Sequence, residues 1–497
     1  MRQVCAWLFS VPAALFLSLA ACTSDDPAPA GGDPAGGDPG ITCSANTTDP
    51  ALKVGGIFTL TTGPSANVEK LGAIGFEMFI DEVNRNCGTV GTETGGLKLE
   101  GVEKDGKDDG PTAGTVAGEL ITEGVVMMIG ASGSLPTTEA AKPAVAAGKL
   151  FGLWKSASDL LQGCTQAQLD DAGVTKTTTP VFAANQCWDN GHYVMGNQLT
   201  STGFGKTAAK WVKADPVYSL LLNAAEVFRN DGFGKPTEAA FAAAFPTEGG
   251  RTVSARVVYP PNATKDQFKT LIKDGNPTAT PAVPAVVVGN PQLIVVTTRV
   301  GEFKAFLEAW AELSADATWT TKPSNFDTCR FIGVGTLSDN YSSLSANAFA
   351  IWRDRVVGTE PYYNPTGVAY EKFWTAYQNY DPSVTEADAY WEKPATYDTM
   401  MVLTLAMVKA NSTDSSVIRD AIQDVANPPG TVVYPGEFKK ARALLFAGED
   451  IDYEGGTGHV DITDTGFIRS KDFRVWAPNA DGTVSTKDVF ESAYSDQ

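Results

Sequence analysis

The apolar positions along residues 54–154 alternate between short continuous runs and longer stretches of helical spacing. Short apolar runs fall at "VGGIFTL", "LKLEGVEK", "VVMMIG" and "LFGLW", and helical patterns such as "EKLGAIGFEMFIDEVN" and "TAGTVAGELITEG" separate them. The short runs predict buried strands, and the helical spacing predicts amphipathic helices. Strands that alternate with helices form right-handed βαβ units, whose parallel sheet is covered on both faces. The pattern therefore predicts an α/β fold with a parallel central sheet.

The same alternation returns in the second half of the chain. Apolar runs fall at "VYSLLLNA", "TVSARVVYP", "LIVVTT" and "RFIGVGTL", with the helical segments "GKPTEAAFAAAF", "KDQFKTLIKD" and "EFKAFLEAWAEL" between them. This series predicts a second sheet of the same type. The tail adds an apolar helix in "ATYDTMMVLTLAMVKA" and two short strand patterns with an Asp-Gly turn in "GHVDITDTGFIRSKDFRVWAPNADGT".

Composition and charge narrow the range of functions. Apolar residues make up 43% of the 497 residues and charged residues 19%, which is ordinary for a globular α/β protein. The formal net charge of −20 would repel a phosphate backbone, so we expect no nucleic-acid partner. With only His192 and His459 available, a His-dependent catalytic triad or a multi-histidine metal site is disfavoured. We expect no metal, no cofactor and no catalytic residues.

The chain begins with the pattern of a signal peptide, residues 1–21. Arg2 precedes an apolar run at residues 4–19, which at about 16 residues is shorter than a membrane-spanning helix. The sequence "LAAC" ending at Cys22 resembles the bacterial lipobox, which implies cleavage and acylation at Cys22. Residues 22–51 are rich in Pro, Gly and Asp and predict a flexible linker. We therefore expect a protein tethered to a membrane by lipid on the periplasmic side of a bacterial cell.

Five further cysteines remain for the exported part of the chain, and an oxidising compartment favours disulfides. Cys164 and Cys187 bracket a polar, loop-like stretch and form one predicted pair. Cys43 precedes the first predicted strand and Cys87 follows the first predicted helix, so both lie at one end of a βα unit and form the second pair. A zinc site is the alternative, but no Cys-x-x-Cys spacing supports it.

Several segments resemble the periplasmic substrate-binding proteins of the leucine/isoleucine/valine and amide-binding type, which feed ABC importers. The matching segments are "KVGGIFTLTTGPSANVEKLGAIGFEMFIDEVN", "LKLEGVEKDGKDD", "VVMMIGASGSLPTTEAAKPAVAAGKLFGL", "VFRNDGFGKPTEAAF", "YDTMMVLTLA" and "GHVDITDTGFI", in this order over roughly residues 52–478. The resemblance implies two Rossmann-like lobes joined by three crossing strands, the type I periplasmic binding protein fold. It implies a first lobe of residues 52–182 plus 357–455 and a second of residues 183–356 plus 456–497.

The small-residue turn "GASGS" follows a predicted strand and precedes a predicted helix. The ends of parallel strands and the N-termini of the next helices present free N–H groups and partial positive charge, which suit a carboxylate. In the resembling family this turn binds the ligand carboxylate, and Ser134 matches its serine. The matching stretch "FGLWKSASDL" implies Trp154 and Ser156 at the site. Two alternatives stay open: Ser132 to Ser134 cap a helix, and Trp154 is a core aromatic.

The second lobe contributes Phe233, where the family often has an aromatic residue over the ligand, and Arg299, where it often has tyrosine. The family's amino-acid binders place a carboxylate after "FIG" for the ligand ammonium. This chain has Gly335 there, and Asp339 follows four residues later as the candidate. If Arg299 faces the cleft, its planar guanidinium could pair with a second ligand carboxylate. The alternative is a surface or interlobe ion pair.

The resemblance implies a lipid-anchored, non-enzymatic solute-binding protein. It would capture an amino acid or a related small carboxylate between its lobes and deliver it to an ABC permease. One rival is a sensor lipoprotein that signals to a membrane partner and has no transport role. Another is a serine hydrolase using the same cleft, against which stands the lack of a G-x-S-x-G elbow in the sequence.

Overall fold

The structure is a computed structural model that describes residues 43, 49–61, 66–163, 165, 189, 191–247, 249–385 and 392–492. These residues belong to one compact unit, Thr42–Gln497. Cys22, Cys164 and Cys187 lie outside the described residues, so acylation and the Cys164–Cys187 pair stay predictions.

The first part of the chain alternates strands and helices as the apolar pattern predicts. Its elements are, in chain order, β1 (Leu52–Phe58), α1 (Ala66–Arg85), β2 (Gly91–Thr92), β3 (Gly95–Gly96), β4 (Leu99–Asp105), α2 (Gly110–Thr122), β5 (Met127–Gly130), α3 (Ser134–Ala146), β6 (Leu150–Leu153) and β7 (Val194–Gly196). Five strands form a parallel sheet in the order β4-β1-β5-β6-β7. Strand order reverses between β1 and β5, which makes their carboxyl ends a topological switch point.

The next part of the chain builds the second sheet. Its elements are α4 (Ser201–Ala214), β8 (Asn223–Arg229), α5 (Gly234–Ala244), β9 (Thr252–Tyr259), α6 (Lys265–Lys273), β10 (Leu293–Thr297), α7 (Val300–Ala315), β11 (Arg330–Val334), α8 (Ala346–Arg355) and β12 (Val356–Pro361). The five strands are parallel in the order β12-β11-β10-β8-β9. Here the order reverses between β8 and β10, which gives a second switch point.

The chain then returns to the first sheet before it ends on the second. The remaining elements are α9 (Val368–Tyr380), α10 (Glu392–Ala410), α11 (Ser415–Asp420), α12 (Ile422–Ala426), β13 (Thr431–Val433), α13 (Phe438–Phe446), β14 (Ile451–Gly455), β15 (Gly458–His459), β16 (Asp472–Pro478) and β17 (Val484–Glu491). β16 pairs antiparallel with β12, and β17 with β16. α10 is buried over residues 392–408, as its continuous apolar pattern predicts.

Two lobes result, and the chain passes between them at three places. The first lobe holds the sheet of β1 and the elements α9 to β15; the second holds the sheet of β8 with β16 and β17. The passages follow β7, follow β12 and precede β16. This arrangement is the type I periplasmic binding protein fold that the resemblance implies.

The boundaries between the lobes differ from those that the resemblance implies, which fall at 182/183, 356/357 and 455/456. β7 pairs with β6, and Val194 packs in the core of the first lobe. β12 pairs with β11 in the second lobe, and Phe467 still packs in the first. These boundary segments are apolar strands and turns, and their local pattern is the same whichever sheet they join. Pairing between distant strands decides the lobe to which each belongs.

One predicted strand is displaced along the chain. The run "VYSLLLNA" at 217–224 predicts a strand, but Tyr218–Leu220 forms a 3-10 turn and β8 begins only at Asn223. The carboxylate of Asp215 accepts hydrogen bonds from the N–H groups of Val217 and Tyr218, each 2.9 Å long, and this holds the turn. The true strand contains the buried Glu226, whose charge conceals the strand pattern in the sequence.

A disulfide joins Cys43 to Cys87 across 44 positions of the chain. This is the pair that the sequence places at one end of the first βα unit. Cys329 is free and buried, and burial raises the pKa of its thiol to about 11. A thiol in that state is a poor nucleophile.

Candidate functional site

The carboxyl ends of the parallel strands in the two lobes face each other across a narrow space, which we call the cleft. On the first lobe the segment after β5 lies at this edge, and on the second lobe the segments after β8 and β10 do. A Cβ atom built on Gly133 would lie 2.7 Å from Nη2 of Arg299. One built on Gly232 would lie 3.4 Å from Cβ of Ser134. The two switch points of the sheets therefore meet at the cleft.

Ser134 is the first residue of α3 and is buried at this edge. The preceding Gly133 has φ of 81°, a left-handed conformation that glycine adopts without strain. The hydroxyl of Thr137 donates to the carbonyls of Ala131 and Gly133, which fixes the turn. No side chain caps α3, so the capping alternative for the serines is not what the structure shows. In the first helical turn Pro136 has no N–H group and Thr137 donates its own to Gly133, so the N–H groups of Ser134 and Leu135 are those that can meet an anion.

Two buried hydroxyl groups lie in the segment that follows β6. The Oγ atoms of Ser156 and Ser158 are both buried, and neither has a hydrogen-bond partner among the residues described. Oγ of Ser158 lies 3.0 Å from the position of a Cβ on Gly232 in the second lobe. A buried hydroxyl without a partner is costly, and a ligand oxygen would remove that cost.

Trp154 lies in the core of the first lobe. Its side chain is fully buried, and its ring centroid is 6.2 Å from that of Phe58. A Cβ built on Gly72 of α1 would lie 2.9 Å from the indole ring. The structure thus places Trp154 where the core alternative put it, directly behind the serines of the cleft.

Arg299 reaches from the second lobe toward the turn that contains Ser134. It precedes α7, is exposed to solvent, and has no hydrogen bond or ion pair through its guanidinium within the described part of the chain. The surrounding protein atoms, followed by the charge of Arg229, lower the pKa of Arg299. Its normal pKa is so high that it stays charged. The ion-pair alternative for Arg299 therefore finds no partner among the residues that the structure describes.

Phe233 stands beside the cleft at the start of α5. Its ring makes an edge-to-face contact with Phe204 at 5.3 Å and is half-buried. Asp231 fixes the turn by accepting hydrogen bonds from the N–H groups of Phe233 and Gly234, 3.0 and 2.8 Å long. Oδ2 of Asp231 also lies 3.2 Å from Nη1 of Arg229.

Asp339 does not join the other predicted residues. Its carboxylate pairs with Lys304 at 2.7 Å on the surface of the second lobe. The buried carboxylate of Glu360 accepts hydrogen bonds from the N–H groups of Leu337 and Ser338, which holds the chain just before Asp339. The prediction that Asp339 binds the ligand is not supported, because another strand's side chain controls the course of this loop.

Sequence reasoning missed several residues at the cleft. Ser158 lies two positions after Ser156, so the period of an extended chain could have indicated it. The sequence contains no comparable indication that Arg229 and its hydrogen-bonding neighbours lie at the cleft. Nε of Arg229 lies 3.3 Å from Glu302, which also accepts hydrogen bonds from the N–H of Asn262 and the hydroxyl of Tyr259.

Glu69 is a buried carboxyl group behind the first-lobe side of the site. It accepts hydrogen bonds from the N–H and hydroxyl of Thr59 at the end of β1. Burial nevertheless raises the pKa of Glu69 from 4.5 to about 7, and the hydrogen bonds from Thr59 only partly oppose this. Between these two pH values the unfolded chain releases a proton that the folded protein keeps. The stability contributed by Glu69 therefore falls as pH rises from 4.5 to 7.

We predict that Glu69→Gln gains stability relative to the unchanged protein as pH rises from 5 to 8. The amide keeps partners for Thr59 but cannot ionise, so the difference in unfolding free energy should shift by about 1–3 kcal/mol in favour of the variant. Urea unfolding of both proteins at each pH measures it. A difference that stays constant over this range would show that Glu69 titrates normally.

The described residues hold no group of three or more His, Cys, Asp or Glu side chains arranged to bind a metal ion. Within the same residues, no helix is both long enough and apolar enough to span a membrane.

Comparison with known proteins agrees with the fold. Residues 51–274 match the model of the periplasmic binding protein family. No curated protein matches the chain in sequence. Several hundred solved chains do match in structure, and three of them are described below.

A leucine-binding protein of Thermotoga maritima, LivK, is 16% identical, with a TM-score of 0.58 over 88% of this chain and 99% of that one. The branched-chain amino acid transporter substrate-binding protein LivJ of Streptococcus pneumoniae is 15% identical, with a TM-score of 0.58 over 90% of this chain and 100% of that one. A solute-binding protein of an R. palustris ABC transporter is 16% identical, with a TM-score of 0.60 over 89% and 98% of the two chains. The chain therefore has the type I periplasmic binding protein fold, matches that family in sequence over residues 51–274, and is similar to the leucine- and branched-chain amino acid-binding proteins of ABC transporters.

Proposed function

We propose that this chain is the solute-binding protein of an ABC importer and that it closes its two lobes on an amino acid or a related small carboxylate. The observation that carries the proposal is the exposed guanidinium of Arg299, which faces the turn of Ser134 and has no partner among the described residues. A cation on one lobe and free helix N–H groups on the other both favour an anion in the same space.

The serines add the second part of the argument. Ser156 and Ser158 bury hydroxyl groups that have no described partner, and Ser158 also approaches Gly232 of the opposite lobe. A ligand oxygen would give each hydroxyl a hydrogen bond, and Arg299 would reach the same ligand from the second lobe only when the lobes are close. The ligand then binds the closed form better than the open form, which is all that closure requires.

The similar structures support the class of ligand. The LivJ structure holds isoleucine, and the R. palustris structure holds 4-hydroxybenzoate. Both compounds are small carboxylic acids. Acylation of Cys22 would tether the protein to the membrane that carries the permease, and this part of the proposal depends on the sequence pattern alone.

We predict that replacing the two buried hydroxyl groups weakens ligand binding without unfolding the protein. Ser156→Ala and Ser158→Ala should each reduce affinity about 5- to 30-fold, because each hydrogen bond to a charged group contributes about 1–2 kcal/mol. Calorimetric titration with the best ligand from a thermal-shift screen of amino acids and other carboxylates measures this. In that screen a ligand at about 100 times its Kd should stabilise the protein by about 2.7 kcal/mol.

Ser485→Ala is the matched control, because Ser485 is exposed on β17 and takes no part in the cleft. It should bind as the unchanged protein does. If no carboxylate raises the melting temperature of a folded sample, the proposed function is wrong. If a compound binds but neither cleft serine matters, the ligand lies elsewhere.

A further inference from the structure

The carboxylates of the second lobe beside the cleft already have partners within the protein. Asp231 accepts two backbone N–H groups and pairs with Arg229 at 3.2 Å. Glu302 lies 3.3 Å from Arg229 and accepts hydrogen bonds from Asn262 and Tyr259. Arg229 is therefore shared between the two carboxylates, and each also accepts hydrogen bonds from the protein. These internal donors compete with any ammonium group that a ligand could bring to either carboxylate.

The carboxylates on the first-lobe side are engaged as well. Glu69 is fully buried behind Thr59, which donates two hydrogen bonds to it. Asp159 accepts hydrogen bonds from the N–H and the hydroxyl of Thr202 across the start of α4. Asp108 is near enough for its charge to act on Arg299, but it has an interaction of its own and lies beyond ion-pair distance of the guanidinium.

The guanidinium of Arg299 differs from these carboxylates, which already have partners within the protein. This guanidinium approaches the turn at Gly133, where α3 begins, so it can reach the same ligand group that the helix N–H groups reach. Ser156 and Ser158 supply the unpartnered, buried hydroxyl groups of this region. One carboxylate can therefore be held from both lobes at once.

We propose that the cleft selects carboxylic acids that carry no free ammonium group, and that Arg299 sets this preference by pairing with the carboxylate that the first lobe binds. The inference rests on the proposed function and narrows its ligand class. An ammonium group would enter a space that already contains a guanidinium, and among the described residues each carboxylate near that space already interacts with the protein. Like charges and unpaired buried charges both oppose binding, so the amino acid is rejected while its deaminated form is accepted.

Pairs of ligands that differ only in the ammonium group measure the effect of that group on binding. We would titrate the full chain calorimetrically with phenylalanine and 3-phenylpropanoate, and with leucine and 4-methylpentanoate, which differ only in that group. In at least one pair the deaminated acid is expected to bind at least tenfold more tightly than the amino acid.

Variants of Arg299 test its role with the same acids. Arg299→Met should lower the affinity for the better acid at least thirtyfold, whereas Arg299→Lys should retain part of it, because lysine keeps the charge but lacks the planar fork. Lys304→Met is the control on the helix that follows Arg299, since Lys304 pairs with Asp339 outside the cleft. This variant should bind as the unchanged protein does, and circular dichroism should show all three variants folded.

The possible results separate the two proposals. If the amino acid binds as tightly as its deaminated form or more tightly in both pairs, the selection rule is overturned while a solute-binding function stands. If Arg299→Met binds the acid unchanged, the role of Arg299 is overturned. If none of the four compounds and no other carboxylate binds the folded chain, both proposals fail.

Discussion

Replacing Asp398 with alanine should lower the free energy of unfolding by about 3–5 kcal/mol, because it removes the acceptor of a buried polar network. Asp398 lies fully buried in α10. Its carboxylate accepts hydrogen bonds from the hydroxyl of Tyr453 at 2.8 Å, the N–H of Gly456 at 3.1 Å, and the N–H and hydroxyl of Thr457 at 2.9 and 2.7 Å. Alanine would leave four buried donors without an acceptor.

A buried cation raises the cost of losing Asp398. Lys471 lies fully inside the protein just before β16, where the chain passes to the second lobe. Burial lowers the pKa of Lys471 to about 8, and the charge of Asp398 opposes that shift. Nζ of Lys471 contacts Oδ1 of Asn197 at 3.4 Å, next to the first passage between the lobes. Removing Asp398 would therefore weaken the packing of two of the passages at once.

Urea unfolding at pH 7 measures the effect of Asp398→Ala. Asp398→Asn is the matched control, since the amide keeps the shape of the side chain and one carbonyl acceptor, and it should lose less stability than alanine. A loss below about 1 kcal/mol for alanine would mean that water replaces the carboxylate, since that is the value of an ordinary hydrogen bond.

Gly75→Val should lower stability by more than about 4 kcal/mol and sharply reduce the yield of folded protein. Gly75 lies in α1 where that helix contacts α10. A Cβ on Gly75 would lie 2.2 Å from the carbonyl oxygen of Lys393, which is far inside van der Waals contact. The obstacle is backbone, so no side-chain rotation can relieve it, and the two helices would have to separate. Their separation would open the core of the first lobe.

Smaller changes make this prediction testable if the valine variant does not fold. Gly75→Ala adds only the clashing atom and should still lower the melting temperature clearly. Gly118→Ala is the control, because a Cβ there has no atom within 4 Å and alanine is the better helix former. The control should match or exceed the stability of the unchanged protein. Equal stability of Gly75→Ala and Gly118→Ala would contradict the close approach of α1 and α10.

In both lobes the local apolar pattern correctly predicted several strands. Apolar runs predicted β1, β5 and β10 because a buried parallel strand is apolar on both faces. The run at 217–224 wrongly predicted a strand, because Asp215 holds a turn there. The sequence did not predict β8 at its true position, because Glu226 interrupts the apolar pattern of that strand. Burial in the strand raises the pKa of Glu226 well above its usual value, and this effect depends on tertiary surroundings that the sequence does not display.

The candidate site also contains residues whose positions follow from the sequence and residues whose positions depend on tertiary contacts. Ser134 and Ser156 follow strands of a parallel sheet, so their place at the cleft follows from the order of elements. Trp154 is one position beyond β6, yet the approach of α1 through Gly72 makes it part of the core. Asp339 lies at the surface because Glu360, from another strand, accepts hydrogen bonds from the loop that precedes it.

The order of strands and helices, the parallel sheets and the proximity of Cys43 to Cys87 follow from the sequence alone, because periodicity and neighbouring βα units are local properties. The lobe to which each crossing strand belongs, the partners of the acidic side chains and the position of Arg299 beside the turn at Gly133 were decided only by the tertiary structure. These depend on contacts between residues far apart in the chain, and no local pattern encodes which distant group will come within reach.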